Sequence, residues 1–402
     1  MMDLKNIDLI ELRNCKNYLK LPPIGQLPLL RRLSIWSMEK VNYIDDDLPD
    51  GGPVRGFQSL ETLMMINLSS LKGLSRKEGK ELFPPLRGMD IISCPDLSFR
   101  SLSSLKTLFV AGHCANVVLE SISTCESLTS LNVVGTEEAI CFPEEVLRNL
   151  TLLKSFYINR FTKLKSFPNG LAHLKALKSL FIFNCDKLKS LQEEGLRGLE
   201  YLQCLSIKWC EEFSSLSEGL QHLVCLESLE ITGCPKLVAL PESVKHLKSL
   251  QRLEMSGRYS AVLVALPETL QHVPALQYLD ISGYPTLTSL PDWLGNLTTL
   301  QSLVISNCPK ISSLPASIQR LTELRSLSIT ECGPELARRC EKGKGEDWHK
   351  IAHIPQVNVR APAKPKGYNS NMMAASSEVV AASVRMHCRR KLVGCSGGCR
   401  FK

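Results

Sequence analysis

A unit of about 24 residues recurs along most of the chain, and this period limits the folds that the sequence can adopt. Leu226–Leu250 and Leu300–Leu324 have closely similar sequences, each beginning with the pattern Leu-x-x-Leu-x-Ile-x-x-Cys. The first residues of successive units are spaced by 24, 25, 24, 24, 26, 24 and 24 residues, and they are Leu153, Leu177, Leu202, Leu226, Leu250, Leu276, Leu300 and Leu324. A chain of this kind is expected to stack its units into a solenoid.

Looser copies of the unit lie upstream, which brings the predicted number of repeats to about 14. Their first residues are Ile7, Leu30, Leu60, Leu86, Leu105 and Leu128. The 30-residue step from Leu30 to Leu60 contains an acidic segment rich in Gly and Pro, so we predict an irregular loop near residues 42–57.

The pattern is that of a leucine-rich repeat, and each half of the unit has a physical role. A Leu and an Ile two residues apart point to the same face of a short strand, so stacked strands share one apolar core. The second half, "LPESVKHLKSL" in one copy, favours a short helix or turn with apolar residues at helical spacing, and Pro241 and Pro315 are expected at the first helical position. We predict an α/β solenoid, a horseshoe with a parallel β-sheet on the concave face. Short helices, 3₁₀ turns and loops should form the convex face.

The cysteines follow the repeat rather than a disulfide pattern. Seven of the 16 cysteines occupy the ninth position of the unit, and they are Cys15, Cys94, Cys185, Cys210, Cys234, Cys308 and Cys332. Leucine-rich repeats place Asn or Cys there to meet backbone groups as the chain leaves the strand. We therefore expect buried free thiols in a reducing compartment; a disulfide framework is the alternative.

Charge and motifs argue against nucleic-acid binding, membrane insertion and catalysis. From Glu341 onward there are 12 Lys and Arg against 4 Asp and Glu, a net +8, which leaves 36 against 36 in residues 1–340. The body of the chain is thus neutral. No apolar run is long enough for a membrane span, and no phosphate loop, nucleophile elbow, kinase motif set or zinc motif is present. We predict a non-enzymatic, cytoplasmic protein without cofactor or metal.

The fifth and seventh positions of each unit point away from the core, onto the face where solenoids bind partners. Aromatic residues cluster at these positions on neighbouring strands, with basic residues beside them. Because rings and Arg anchor protein interfaces, we predict a protein-binding patch. It comprises Phe109, Tyr157, Arg160, Phe181, Phe183, Lys208 and Trp209. The alternative is that these rings merely pack on each other.

Acidic residues occupy the fifth position in the three following units. Glu230, Glu254 and Asp280 would stack roughly 5 Å apart, which costs stability unless a cation offsets the repulsion. Arg252 is placed to offset part of it, and a basic patch on a partner could offset more. We therefore expect the aromatic patch to supply affinity and the acidic residues to supply orientation; a solvated face with screened charges is the alternative.

Two segments resemble plant intracellular disease-resistance proteins of the coiled-coil, nucleotide-binding, leucine-rich-repeat class. They are "LPPIGQLPLLRRLSIWSMEKV", Leu21–Val41, and "ECGPELARRCEKGKGEDWHKIAHIPQVNV", Glu331–Val359. The resemblance covers about residues 1–360 and implies only the C-terminal repeat region of such proteins. It implies a sensor and autoinhibitory domain whose partner is a pathogen effector, a modified host protein or the nucleotide-binding domain of a related receptor. No residue here matches a nucleotide-binding motif.

The sequence predicts three segments: a repeat domain at 1–336, a closing segment at 337–360 and a disordered basic tail at 361–402, with a short helix near Met372–Met386. With no polar cap before Ile7, we also expect the end of the core to be exposed there, as in a fragment, a truncated gene product or a domain that takes a partner at that end. A free-standing cytoplasmic scaffold or a substrate adaptor of a ubiquitin ligase is the alternative function.

Overall fold

The computed structural model describes residues 6–44, 56–76, 82–100, 102–112, 116–135, 142–237, 239–257, 266–361 and 400–401. The core of the predicted loop near residues 42–57, nearly all of the predicted basic tail and the predicted helix within it lie outside these residues.

One sheet runs through the whole molecule and contains fifteen parallel strands, each joined to the next along the chain. The strands are β1 (Leu9–Arg13), β2 (Arg32–Trp36), β3 (Thr62–Ile66), β4 (Gly88–Ile92), β5 (Thr107–Ala111), β6 (Ser130–Val134), β7 (Ser155–Asn159), β8 (Ser179–Phe183), β10 (Cys204–Lys208), β12 (Ser228–Thr232), β13 (Arg252–Ser256), β14 (Tyr278–Ser282), β15 (Ser302–Ser306), β16 (Ser326–Thr330) and β17 (Gln356–Arg360). Two further short strands, β9 (Ser190–Leu191) and β11 (Ser215–Leu216), form a separate parallel pair, while β18 (Arg400–Phe401) pairs antiparallel with β1.

The predicted solenoid is confirmed at the level of single repeats. A strand begins two residues after each of the 14 predicted first positions, including those of the irregular upstream units. Side chains alternate between buried and partly exposed along these strands, as in Ser179–Phe183, where Leu180 and Ile182 are fully buried. Each such side chain contributes roughly 1.5–3 kcal/mol on burial, so the core is a continuous stack of aliphatic layers.

The other side of the repeat carries short helices. The α-helices are α1 (Asn116–Ile122), α2 (Glu144–Asn149), α3 (Glu193–Leu196), α4 (Pro334–Arg339) and α5 (Trp348–Ile351); the 3₁₀ helices are Ile24–Gln26, Asn169–His173, Glu218–His222, Glu242–His246, Glu268–His272, Asp292–Asn296 and Ala316–Arg320. Pro241 and Pro315 precede the first helical residue as N-caps, so their predicted placement inside the helix was wrong by one position. Their extended ψ values, 160° and 149°, turn the chain into the helix rather than continuing it.

The end of each strand has its own recurring geometry. Among the residues that the structure describes, nine that are not glycine have positive φ, and all of them lie at the eighth position, directly before the ninth. The thiol at the ninth position then turns inward; that of Cys308 donates to the carbonyls of Ile281 at 3.5 Å and Ser306 at 3.4 Å. None of the eleven cysteines within the described segments forms a disulfide. Of the seven ninth-position thiols, six are buried as predicted, whereas Cys15, in the first described repeat, is only half-buried.

The closing segment adds a fifteenth strand that the sequence reasoning missed. Helices α4 and α5 precede β17, whose register continues that of β16. Between them the carboxylate of Asp347, only 1% exposed, accepts hydrogen bonds from Arg339 and from the Leu314 N–H and pairs with Lys350. Burial alone would raise the pKa of Asp347, but these hydrogen bonds outweigh it and lower the pKa to about 2. The segment is thus fastened by one buried charge.

Candidate protein-binding surface

The concave face presents three columns of side chains, because the first, third and fifth residues of most strands point away from the core. The register is in line from strand to strand, so the third residues of β7, β8, β10, β12, β13 and β14 form one column. These are Tyr157, Phe181, Ser206, Glu230, Glu254 and Asp280. Predicted aromatic and acidic positions therefore lie on one continuous surface.

Four of the predicted aromatic residues are in contact with each other. The rings of Tyr157 and Phe181 stack with centroids 4.1 Å apart and planes 9° apart. Phe183 lies 6.1 Å from Phe181 and meets Trp209 edge-on at 6.2 Å. We call these four residues the aromatic cluster. The rings support one another, as the alternative interpretation anticipated, and each also keeps part of its surface in solvent.

Trp209 is the most exposed ring of the cluster, with 39% of its surface accessible. It occupies the eighth position with φ of 54°, in a left-handed conformation that costs an L-residue roughly 1–2 kcal/mol. Its ring lies over Gly233, where an added Cβ would come within 2.7 Å of the Trp209 Cδ1 atom. The same backbone conformation recurs at the eighth position of other repeats, so what sets Trp209 apart is a large ring left exposed there, as interface anchors are.

Two predicted residues stand apart from the cluster. Phe109 is half-buried on β5, and Asn132 of β6 lies between it and Tyr157 in the same column. Arg160 follows β7 with φ of 60° and is exposed at the strand end. Both face solvent beside the cluster, but neither makes a ring contact with it in the described part of the chain.

The acidic residues stack as predicted. Glu230, Glu254 and Asp280 are direct register partners on β12, β13 and β14. Solvated carboxylates about 5 Å apart repel each other by roughly 1 kcal/mol, so this acidic column stores repulsion along the face.

Two cations of the chain itself reduce this repulsion, and each lies between a ring and a carboxylate. Lys208 pairs with Glu230 while its Nζ atom is 5.9 Å from the centre of the Phe183 ring. Arg252 approaches Glu254 at 3.3 Å, and its guanidinium lies 3.7 Å from the centre of the Tyr278 ring. Three carboxylates thus face two cations, and the column retains a net negative charge.

The pKa values of two carboxyl groups in the acidic column are raised, those of Glu254 and Asp280. Burial, then repulsion from Glu230, raises the pKa of Glu254 above its ordinary value, in spite of the hydrogen bond from Arg252. Burial also raises the pKa of Asp280, although Ser282 and Tyr278 donate hydrogen bonds to its carboxylate. A partner that brought a cation to this column would stabilise the charged forms.

Sequence reasoning missed three residues that complete the surface. Tyr278 supplies the ring beneath Arg252, and Ser206 is fully buried and donates to Glu230 at 2.8 Å. Cys204 faces the concave side as a half-buried free thiol, unlike the ninth-position cysteines. The repeat could have identified Cys204 and Tyr278, since both occupy the position directly before the second Leu of the unit, which faces the same side of the strand as the fifth position.

The described residues contain no group of three or more His, Cys, Asp or Glu side chains arranged for a metal ion. Among the same residues, no helix is both long and apolar enough to cross a membrane.

A family model described as "Leucine-rich repeat region" matches residues 81–282 and 214–392. The chain belongs to the leucine-rich-repeat family. Its relatives include two disease resistance proteins of Solanum bulbocastanum. RGA1 is 43% identical over 170 residues, 42% of this chain and 17% of the relative. RGA2 is 42% identical over 174 residues, 42% of this chain and 16% of the relative. The matched part of this leucine-rich-repeat chain spans about a sixth of their length.

Solved structures agree on the fold. A leucine-rich-repeat protein of Leptospira interrogans covers 88% of this chain and 90% of its own, with a TM-score of 0.53 and 21% identity. Toll in the Drosophila Toll–Spatzle complex covers 88% of this chain and 43% of its own, with a TM-score of 0.57 and 17% identity. At these identities the likeness concerns the solenoid alone.

Proposed function

We propose that this chain is a non-catalytic, cytoplasmic protein-binding module of plant innate immunity. Its similarity to disease resistance proteins over the repeat region supports this role. The observation that carries the proposal is the concave surface, where the aromatic cluster and the acidic column lie on consecutive strands from β7 to β14. Solenoids commonly use this face for partners.

In this proposal the two parts of the surface have different tasks. Exposed rings of the aromatic cluster supply apolar contact area at little cost in side-chain entropy, as interface anchors do. The acidic column selects and orients a basic region of the partner, because only a cation relieves its repulsion. Phe109 and Arg160, both at the β5–β7 end of the cluster, extend the same face.

The partner is a pathogen effector or a modified host protein, or the nucleotide-binding domain of a related receptor. In the first case the surface senses the pathogen; in the second it holds a receptor inactive. Both roles use the same physical device, a preformed face that exchanges one protein partner for another.

Co-purification with a nucleotide-binding domain from a full-length related receptor tests the proposal. We expect the pair to associate and the variant F181A/F183A/W209A to lose this association. Tyr18→Ala removes a ring that is 59% exposed outside the strands and is the matched control. Undiminished binding by the triple variant, at unchanged thermal stability, would contradict the site; failure of the wild-type chain to associate would favour the free-standing scaffold or adaptor.

A further inference from the structure

A second surface lies on the rim of the solenoid, away from the concave face. In most repeats a two-residue turn lies two residues before the strand, and we call this segment in six consecutive repeats the rim strip: residues 126–129, 151–154, 175–178, 200–203, 224–227 and 248–251. Apolar side chains protrude from three of these turns: Leu152 is 52% exposed, Tyr201 63% and Val224 54%. Such a row of exposed apolar residues indicates an interface.

Backbone hydrogen bonds hold the six segments of the rim strip side by side. The Lys154 N–H donates to Thr129 at 2.8 Å, Lys178 to Lys154 at 2.8 Å and Gln203 to Lys178 at 2.8 Å. Glu227 and the segment after it continue the series at 2.9 Å. Residues at equivalent positions therefore form rows that are in register, with steps of about 4.8 Å.

The charges of the rim strip are arranged in reverse order in its two halves. The first turn residues are, in sequence, Glu126, Thr151, Lys175, Glu200, Val224 and Lys248. When this row is paired from its two ends inward, Glu126 corresponds to Lys248 and Lys175 to Glu200, so each charged residue corresponds to one of opposite sign. Lys154 and Glu227 repeat this relation in the neighbouring row. None of these six charged side chains forms an ion pair with any residue that the structure describes.

We propose that the rim strip binds a second copy of this chain. A two-fold axis across the middle of the strip, lying in the interface, keeps each row against itself and reverses its direction. Lys154 then faces Glu227 of the second copy, and Lys175 faces Glu200. The same operation places Tyr201 over the small Ala176, Leu152 over Cys225 and Val224 over Thr151, so large apolar side chains meet small ones.

The mixed charges identify the partner class. A nucleic acid or an anionic membrane, negative throughout, would be attracted by Lys154 and Lys175 but repelled by Glu227 and Glu200 in the same two rows. The strip extends roughly 24 Å over five steps, so we expect a small interface of the transient class. The inference is independent of the proposed function, because the two faces share no residue.

Sedimentation velocity of the full chain at low ionic strength, over a concentration series into the hundreds of micromolar, tests the dimer. Each ion pair occurs twice in a two-fold interface, so we expect Lys154→Glu or Glu227→Lys alone to raise the dissociation constant at least tenfold. Mixing these two variants should restore dimers, since each then offers the charge that the other lacks. The double variant K154E/E227K should dimerise alone, as the wild type does.

Circular dichroism melts of each variant ensure that the comparison concerns folded protein, and the exposed rings provide a second measurement. Tyr201→Ala should weaken the dimer without altering the melt, whereas Tyr18→Ala should change neither. A wild-type chain that stays monomeric throughout the series would overturn the proposal. So would K154E and E227K variants that associate no better when mixed than apart.

Discussion

Replacing Asp347 by Asn should loosen the closing segment of the solenoid. The variant keeps the shape of the side chain but removes the charge that Arg339, Lys350 and the Leu314 N–H surround. A carboxyl pKa of about 2 in the folded chain, against an ordinary value of 3.8, corresponds to about 2 kcal/mol of stability at neutral pH. Unpaired cations left behind would add to the loss.

The pH dependence follows from the sign of this shift. Because folding lowers the pKa of Asp347, its contribution is complete above about pH 5 and is lost as the pH falls through about 4 towards 2. The wild type and the Asn variant should therefore differ at pH 7 and converge near pH 2.

Hydrogen exchange of the β17 amides that bond to β16, together with denaturant melts, would measure the effect. Glu346→Gln is the matched control, since it removes the neighbouring carboxylate, which pairs with Arg338 and Arg339 at the surface and should cost less than about 1 kcal/mol. If the Asp347 variant exchanged no faster than this control, the assignment of the buried charge as the fastening point would be refuted.

Three further predictions concern other positions. Trp209→Asn should leave the free energy of unfolding unchanged or raise it by up to about 1 kcal/mol, because Asn tolerates positive φ, and it should weaken partner binding. A clear loss of stability in a melting experiment would argue against backbone strain at this position. Glu254→Gln should raise the melting temperature at pH 7 and not at pH 4, because the raised pKa of Glu254 means that its charge opposes folding above that pKa; a lower melting temperature at pH 7 would contradict this. Burial raises the pKa of Cys308 to about 11, so Cys308 should be alkylated only when the chain unfolds, whereas the half-buried Cys204 should be alkylated in the native chain. Mass spectrometry would map the modified residues, and a Cys308 already blocked in protein purified without reductant would disprove the free thiol.

The repeat period predicted the strands because the apolar residues that recur in each unit are the ones that the strands bury. Fourteen first positions located fourteen strands, and the in-line register then placed Glu230 beside Glu254. Strand β17 was missed because α4 and α5 lengthen its unit to 30 residues, although Ile354, Val357 and Val359 preserve the apolar spacing.

The sequence predicted which column of the sheet each side chain belongs to more readily than it predicted which side chains touch. The pattern placed Arg252 near the acidic column, but its stacking on Tyr278 depends on rotamers, which periodicity does not specify. The closing segment was noticed only as a family resemblance. The burial of Asp347 depends on three partners that lie 8, 3 and 33 residues away in the sequence, so no local pattern contained it.

The in-line pairing of neighbouring strands has a consequence for how such chains change over generations. Since a side chain's row depends only on its place within one unit, unequal crossing-over that adds or deletes a whole unit leaves every remaining residue in its own row. What changes is the order in which chemical groups follow one another along the face. New recognition surfaces can therefore arise by shuffling intact units, without any new solution to the folding problem.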